Sequence, residues 1–392
     1  MTAAPRLWRR AVVVLFAVAA GTNVPTPLLL VYRDELGLGP DVLTAVFGCY
    51  ALGLVPALAF AGPLSDRYGR RRVVLPFAVL AGGTSLLLIG ASSSLPVLFV
   101  GRVLQGVVSG AVFSAASAWV AELSLREGGP AAGASAGRRA AVAMTAGFSL
   151  GPLVSGVLGQ YAPLPTVLPY LLHVALVAAG VLTALPLPET VVPVARHDRV
   201  PAGPLVERGD RVVLLTVLAP LAVCVYAFPT VIVSAVPLLV RTSGPPVLLT
   251  GLLAGITLGA GALAAPLQRR LGPWTAAGAV LLGAVGYAVA TLGSTDGSPP
   301  VLLAASLLLG SGGGLALAAG LVLTGRLARP GRRGALSSVF LGCAYVGFSA
   351  PYLTAVAAEA STVQVPLIAA AVAALLLAAR LAVATRSGQT SG

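Results

Sequence analysis

Acidic and basic side chains alternate with glycines over residues 62–72, which read GPLSDRYGRRR. Gly62 and Gly69 give the backbone the freedom that a tight turn needs. The Asp66 carboxylate can cap the positive end of a neighbouring helix, and the planar Arg70 guanidinium can hold a partner acid. These residue types predict a tight turn whose acid caps a helix and whose arginine binds a carboxylate.

A second candidate, Arg102, lies inside an apolar segment, where a charge costs roughly 2.5–3.5 kcal/mol on insertion scales. Such a charge usually faces a cavity and marks a functional site. Arg102 also lies about six residues, or ~9 Å along a helix, from the predicted outer end of its segment. An extended side chain that reaches the membrane surface therefore stays open as the alternative.

The residue types of hydrolytic, redox and metal chemistry are scarce. Cys49, Cys224 and Cys343 lie singly in apolar runs, and the two histidines are His173 and His197. The sequence has no CxxC, Ser/His/Asp or P-loop pattern, and no metal-ligand spacing. We therefore expect no enzyme activity, no metal site and no cofactor.

The elements that position these residues follow from the composition. The chain has 392 residues, of which 57% are hydrophobic and 9% charged, and its mean hydropathy is +0.95. A soluble domain has about 25% charged residues, so a soluble enzyme and a disordered chain are excluded. Apolar stretches of about 20 residues, the length of a membrane crossing, number about twelve. They are predicted near 11–32, 41–61, 73–91, 96–121, 139–160, 167–185, 212–240, 247–266, 274–293, 300–325, 334–357 and 363–384.

The net charge of +13 comes from 25 arginines, because the chain contains no lysine. In a soluble protein this charge would suggest nucleic acid. With the N-terminus inside, 22 arginines fall in the predicted inner segments or at the inner ends of spans, two (Arg33 and Arg241) fall outside, and Arg102 lies deeper within a span. Positive charge on the cytoplasmic side orients membrane helices. We therefore expect cytoplasmic termini and a lipid bilayer as partner, not nucleic acid.

The two halves of the chain repeat short patterns in the same order. Pro63-Leu-Ser-Asp-Arg-Tyr-Gly69 matches Pro266-Leu-Gln-Arg-Arg-Leu-Gly272, and Gly147-Phe-Ser149 matches Gly347-Phe-Ser349. The offsets of 203 and 200 residues indicate a duplicated six-helix unit. The predicted organisation is an all-α integral membrane protein of two pseudo-symmetric six-helix bundles, 1–185 and 212–392, joined by a solvated linker, 186–211.

On these residues the chain resembles the major facilitator superfamily over essentially its whole length, and is most similar to twelve-helix drug:proton antiporters. Residues 62–72 resemble the signature loop of that family. The resemblance implies that the loop aspartate caps helix 11 of the other half and that the loop arginine pairs with an acid at the inner end of helix 4. Together these contacts would form an inner latch. The implied gating set is Gly62, Asp66, Gly69, Arg70 and Glu122.

Two further motifs carry the resemblance. Residues 102–106, RVLQG, resemble the helix-4 motif, whose arginine is thought to tune a nearby acid in proton-coupled members. Residues 147–156, GFSLGPLVSG, resemble the helix-5 motif of exporters, which lets helices of opposite halves approach closely. The implied packing residues are Gly147, Gly151, Pro152 and Gly156.

Family architecture also implies that helices 1, 4, 7 and 10 surround the substrate path. The candidate substrate-binding residues on those spans are Asn23, Thr26, Arg102, Gln105, Tyr226 and Thr230, together with Trp119. The proton-coupling candidates are Asp34, Arg102 and His173. Asp34 beside Arg33 is equally consistent with an interfacial ion pair, and His173 with a hydrogen-bonded core residue.

The expected function is secondary active transport by rocker-switch alternating access, as proton-coupled efflux of a small amphipathic compound. An importer or uniporter of a polar metabolite, such as a sugar or amino acid, stays open, as does a membrane sensor on a transporter fold. We expect a multi-pass protein of the bacterial plasma membrane that works as a monomer, uses the proton gradient and needs no cofactor.

Overall fold

The computed structural model describes residues 7–191, 205–207, 211–329 and 332–387, apart from the side chains of 128–134 and 333–334. Every secondary-structure element of these residues is a helix, and no β-strand occurs among them. The predicted all-α class is therefore confirmed.

The helices are named here in chain order. Those of the first half are α1 (Trp8–Gly21), α2 (Pro25–Leu36), α3 (Pro40–Tyr68), α4 (Arg70–Ile89), α5 (Leu95–Tyr161) and α6 (Leu168–Ala184). Those of the second half are α7 (Arg211–Leu239, with two π-helical turns), α8 (Pro246–Ala264), α9 (Thr275–Asp296), α10 (Pro299–Leu327), α11 (Arg333–Tyr345), α12 (Ala350–Glu359) and α13 (Gln364–Arg386). Short 3-10 or α-helical turns join several of them.

Ten segments of the described residues are helical, long and apolar enough to cross a membrane. One of them, Pro246–Asp296, has 51 residues and contains both α8 and α9, whereas α6 is apolar but has 17 residues. A crossing needs about 20 residues. A multi-pass helical membrane protein is thus confirmed, while the count of twelve and the cytoplasmic termini stay predictions.

The described residues divide into two compact units. Those of Met1–Gly39 and Val46–Ala195 form the first unit, and those of Pro40–Ala45 and Arg196–Gly392 form the second. The first six residues of α3, Pro40–Ala45, are therefore grouped with the second half of the chain. The candidate gating residues and most of the other candidates lie in the first unit.

Close packing of α5 on α1 explains two glycines of the helix-5 motif. A Cβ on Gly147 would lie 2.7 Å from both Phe16 O and the Ala19 Cβ, and one on Gly151 would overlap Ala20 O. Small residues at a spacing of four let helix backbones approach this closely. The resemblance implied packing between opposite halves, whereas these two glycines face α1 of their own unit.

The helix α5 reverses its direction near its middle. Arg139 donates to Ser124 Oγ at 2.8 Å, although 15 residues separate the two. In a straight helix these residues would lie about 22 Å apart. The reversal turns α5 into the two apolar segments Leu95–Glu127 and Ser135–Tyr161, which carry the predicted fourth and fifth spans.

Candidate functional site

The turn between α3 and α4 brings three of the predicted gating residues together. Arg70 Nη2 and Nε lie 2.9 and 3.1 Å from Glu122 Oε1, and Arg70 Nη1 lies 2.5 Å from Asp66 Oδ1. The Arg70 side chain is only 11% exposed, whereas Asp66 is 59% exposed. One shielded guanidinium is thus held between two carboxylates, an arrangement that charge-assisted hydrogen bonds strengthen.

Gly69 occupies the position between α3 and α4 for two reasons. Its φ of 109° lies in a region that side chains with a Cβ rarely adopt. A Cβ there would also overlap the carboxylate of Glu189. Glu189 accepts the backbone N–H groups of Arg70 at 2.8 Å and Arg71 at 3.1 Å, and therefore caps the start of α4.

Residues 185–191, here called the tether, follow α6 within the first unit and pack against α4 and α5. The Thr190 hydroxyl donates to the second oxygen of Glu122. Trp119 Nε1 donates to Pro188 O at 3.2 Å, and Arg126 Nη2 donates to Thr190 O at 2.9 Å. The tether overlaps the start of the predicted solvated linker 186–211. Within it Leu187 and Thr190 are buried, whereas Pro186 and Pro188 are exposed.

Sequence reasoning missed Glu189 and Thr190 as members of the gating cluster. It also placed Trp119 beside the substrate path, whereas its indole is fully buried and bonded to the tether. Gly62 lies near the cluster, where a Cβ would come within 3.2 Å of Ser114 Oγ.

A break interrupts the first predicted span at residues 22–24, between α1 and α2. Proline has no backbone N–H, so Pro25 and Pro27 cannot donate to the carbonyls of Gly21 and Asn23, four residues earlier. Gly21 O accepts the Val24 N–H at 3.3 Å and Gln105 Nε2 at 2.6 Å instead. A side chain of α5 therefore replaces one of the two missing helical donors.

Arg102 is the second side chain at the break. Its Nη1 donates to Thr22 O at 3.0 Å and to Gln105 Oε1 at 2.5 Å, and its Nη2 donates to Phe47 O at 3.3 Å. The guanidinium also lies 5.0 Å from the Tyr50 ring centroid. Arg102 is 2% exposed and does not reach the surface. It is the only Arg, Asp or Glu side chain that is buried within the described part of the chain.

The other substrate-path candidates form two groups, one in each unit. In the first unit, Asn23 Nδ2 donates to Thr22 Oγ1 at 3.2 Å, and Thr26 Oγ1 is buried without a hydrogen-bond partner. In the second unit, Tyr226 stacks on the Tyr345 ring with a centroid distance of 4.8 Å.

The second group also includes a hydroxyl and a third ring. Thr230 donates to Tyr226 O at 2.7 Å. The Phe348 ring lies 5.0 Å from that of Tyr226. The group is therefore aromatic and contains no charged side chain.

The proton-coupling candidates have different environments. Asp34 is 70% exposed and lies 2.9 Å from Arg33 Nε, as the interfacial-pair interpretation expects. His173 is buried, with Nε2 3.1 Å from Ala17 O and Nδ1 2.7 Å from Ser85 Oγ. Because a carbonyl only accepts, Nε2 donates to it and Nδ1 can accept from the serine. This arrangement satisfies a neutral imidazole.

Comparison with known proteins decides the family. The sequence profile of the Major Facilitator Superfamily matches residues 11–350. The chain belongs to this superfamily. The family and its matched relatives are membrane transporters and not enzymes, which is the class that the sequence predicted.

Curated relatives of this superfamily member include resistance proteins. Puromycin resistance protein pur8 of Streptomyces alboniger is 35% identical over 161 residues, which cover 40% of this chain and 31% of that protein. Tetracycline resistance protein, class B, of Escherichia coli is 27% identical over 162 residues, covering 39% and 37%. Multidrug resistance protein 1 of Bacillus subtilis is 25% identical over 146 residues, covering 37% and 36%. The chain spans about a third of the length of the curated relatives it matches.

Solved structures resemble this transporter over nearly its whole length. The peptide transporter POT in complex with sulfate has a TM-score of 0.80 at 16% identity, covering 100% of this chain and 96% of that one. A variant of the nucleoside transporter NupG has a TM-score of 0.76 at 13% identity, covering 96% and 99%. At such identities the likeness shows the fold alone.

Proposed function

We propose that this superfamily member is a secondary active exporter of a small amphipathic compound, driven by the proton gradient and working by rocker-switch alternating access. The observation that carries the direction is the 35% identity to a puromycin resistance protein, with multidrug and tetracycline resistance proteins among the other relatives. Resistance named for a toxic compound fits removal of that compound from the cell.

The chemistry of the candidate residues supports an amphipathic substrate. The first unit offers a few hydrogen-bonding groups at the helix break, and the second offers the rings of Tyr226, Tyr345 and Phe348. Aromatic rings suit flat apolar groups through stacking and apolar contact. A sugar or amino acid importer, the second candidate, would need more polar groups than these.

The ion-pair cluster supports a gating role within this proposal. Arg70 links Asp66 and Glu122, and the tether bonds to the same Glu122. Such ion pairs stabilise the conformation in which they form, relative to a conformation in which the charged partners are apart. We propose that the cluster is the inner latch, on the cytoplasmic side of a bacterial plasma membrane.

Proton coupling is proposed with His173 as the leading candidate. Protonation would give Nδ1 a hydrogen that Ser85 Oγ can accept, so a charged ring could keep both contacts. Buried titratable groups in membrane spans often mark proton pathways. Asp34 is exposed and ion-paired, which makes it the weaker candidate. The proposed transporter acts as a monomer in the lipid bilayer, without a cofactor.

Vesicle transport tests the direction and the coupling together. Puromycin and tetracycline uptake is measured in inverted and right-side-out vesicles that contain the protein, with and without an imposed pH gradient. An exporter accumulates a compound in inverted vesicles. Accumulation in right-side-out vesicles would indicate an importer, and binding without flux would indicate a sensor. Substrate flux that is equal with and without the pH gradient would contradict proton coupling and would indicate a facilitator.

A further inference from the structure

Thr26, which follows the break between α1 and α2, differs from other buried threonines in the hydrogen bonding of its hydroxyl. Elsewhere in the described helices, Thr84, Thr257 and Thr354 donate their hydroxyl hydrogens to the carbonyls of Leu80, Leu253 and Ala350, four residues earlier, at 2.6–2.8 Å. Thr26 Oγ1 is buried and makes no hydrogen bond. The residue is 2% exposed, so its hydroxyl differs from these other threonines.

The structure gives the reason for this difference. The carbonyl four residues before Thr26 is that of Thr22, and Arg102 Nη1 donates to it at 3.0 Å. The Thr26 N–H bonds to Asn23 O at 3.1 Å, three residues earlier, so the backbone at the break has already turned away from Thr22 O. Arg102 therefore occupies one of the two lone pairs of the carbonyl that a regular helix would offer to the Thr26 hydroxyl, and the turned backbone keeps the hydroxyl from the other.

A buried hydroxyl without a partner destabilises the folded protein, because it has lost its hydrogen bonds to water. Valine has nearly the same shape and would avoid this loss. We propose that the Thr26 hydroxyl is a hydrogen-bonding contact for the transported compound and that its ligand is an oxygen atom of an uncharged or anionic group. This inference names the substrate chemistry of the proposed function and rests on it.

The charge at the break selects the ligand class. The guanidinium of Arg102 binds the carbonyl one helical turn before Thr26, and no buried carboxylate occurs among the described residues. An ammonium group beside Thr26 would therefore meet a like charge without a counter-ion, which is costly away from water. A hydroxyl, keto, amide or carboxylate oxygen can accept from Thr26 and gains from the positive potential.

Cysteine labelling tests access to this position without a known substrate. In a background with Cys49, Cys224 and Cys343 replaced by alanine, Thr26→Cys and the control Thr84→Cys are treated in membranes with anionic and cationic methanethiosulfonates. We expect Thr26→Cys to react, faster with the anionic reagent, and Thr84→Cys to stay unreactive. An unreactive Thr26→Cys, or a faster reaction with the cationic reagent, overturns the inference.

Transport tests the contact itself. Tetracycline carries hydroxyl, keto and amide oxygens, whereas ethidium is a cation without oxygen. Loss of one uncharged hydrogen bond should lower tetracycline transport efficiency about three- to tenfold in Thr26→Val. Thr26→Ser should keep it, Thr84→Val should match the wild type, and ethidium flux should not change. Equal tetracycline transport by Thr26→Val and wild type overturns the inference.

The two tests separate the inference from the proposed function. If the wild type moves neither compound, export of these compounds fails, and the labelling pattern still decides whether Thr26 lies on an accessible path. If the wild type exports tetracycline and Thr26→Val does so equally, export stands and the assigned contact fails.

Discussion

The Glu189 carboxylate accepts the backbone N–H of Arg70 at 2.8 Å, across a separation of 119 residues. The guanidinium of the same Arg70 binds Glu122, and Thr190, next to Glu189, donates to Glu122 as well. The tether therefore fastens both the backbone and the ion pair of the gating cluster. Movement of α4 relative to α5 and movement of the tether are linked through these bonds.

Glu189→Ala should destabilise the first unit. It removes the side-chain partner of two N–H groups at the start of α4, and loss of such a cap costs about 0.5–2 kcal/mol. We expect a lower midpoint of thermal unfolding in detergent, with a smaller decrease for Glu189→Gln, which keeps an acceptor oxygen. Glu207→Ala, at an exposed residue, is the matched control. Equal midpoints for the two alanine variants would contradict the capping role.

Asp66→Asn should separate gating from stability. Asp66 is 59% exposed, and an exposed ion pair contributes only about 0–1 kcal/mol. We expect normal expression and nearly unchanged thermal unfolding, but reduced transport in vesicles, because Arg70 loses one of its two carboxylate partners. Asp296→Asn removes an exposed carboxylate that bonds to Ser298 N–H and should transport like the wild type. Full transport by Asp66→Asn would rule out the proposed latch.

Gly151→Ala should weaken the packing of α5 on α1. The added Cβ would overlap Ala20 O, and inserting a methyl group into a tightly packed contact typically costs 1–3 kcal/mol. Gly83→Ala is the matched control, because no atom lies within 4 Å of the added Cβ. There alanine should stabilise the helix by up to about 1 kcal/mol. Thermal unfolding should therefore shift in opposite directions for the two variants, and equal shifts would refute the packing argument.

The family resemblance implied the Arg70–Glu122 ion pair, whereas the sequence assigned Asp66 to a helix cap and did not predict its pairing with Arg70. Asp66 and Arg70 lie in one short motif, and Glu122 was the acid at the inner end of its span. Hydropathy likewise predicted the helical class, since a bilayer requires long apolar helices.

Contacts of the tether could not be predicted in the same way. A local helix cap is recognised from residues three positions apart, but Glu189 caps a helix 119 residues earlier in the chain. The surroundings of Glu189 are proline-rich and charged, which is typical of solvated linkers, and the sequence therefore predicts such a linker over residues 186–211. Likewise, sequence placed Arg102 inside a span but could not show that its ligands are backbone carbonyls at a proline break.

The break between α1 and α2 allows a double-mutant test of the helix-4 motif. Pro25→Ala supplies an N–H that can donate to Gly21 O, the acceptor now bonded to Gln105 Nε2 at 2.6 Å. Gln105→Ala alone should be destabilising, because it removes that donor. In the Pro25→Ala background the loss should be smaller, with a coupling energy of about 1 kcal/mol, the net value of one hydrogen bond.

Pro27→Ala provides the control for this cycle. Its new N–H would serve Asn23 O. Asn23 O and Gly21 O each accept a backbone N–H from three residues later, at 3.1 and 3.3 Å, but only Gly21 O is bonded to Gln105. Pro27→Ala and Gln105→Ala should therefore be additive within about 0.5 kcal/mol. Thermal or denaturant unfolding of the single and double variants in detergent measures both cycles. Equal coupling energies would show that Gln105 does not act by replacing the donor that Pro25 lacks.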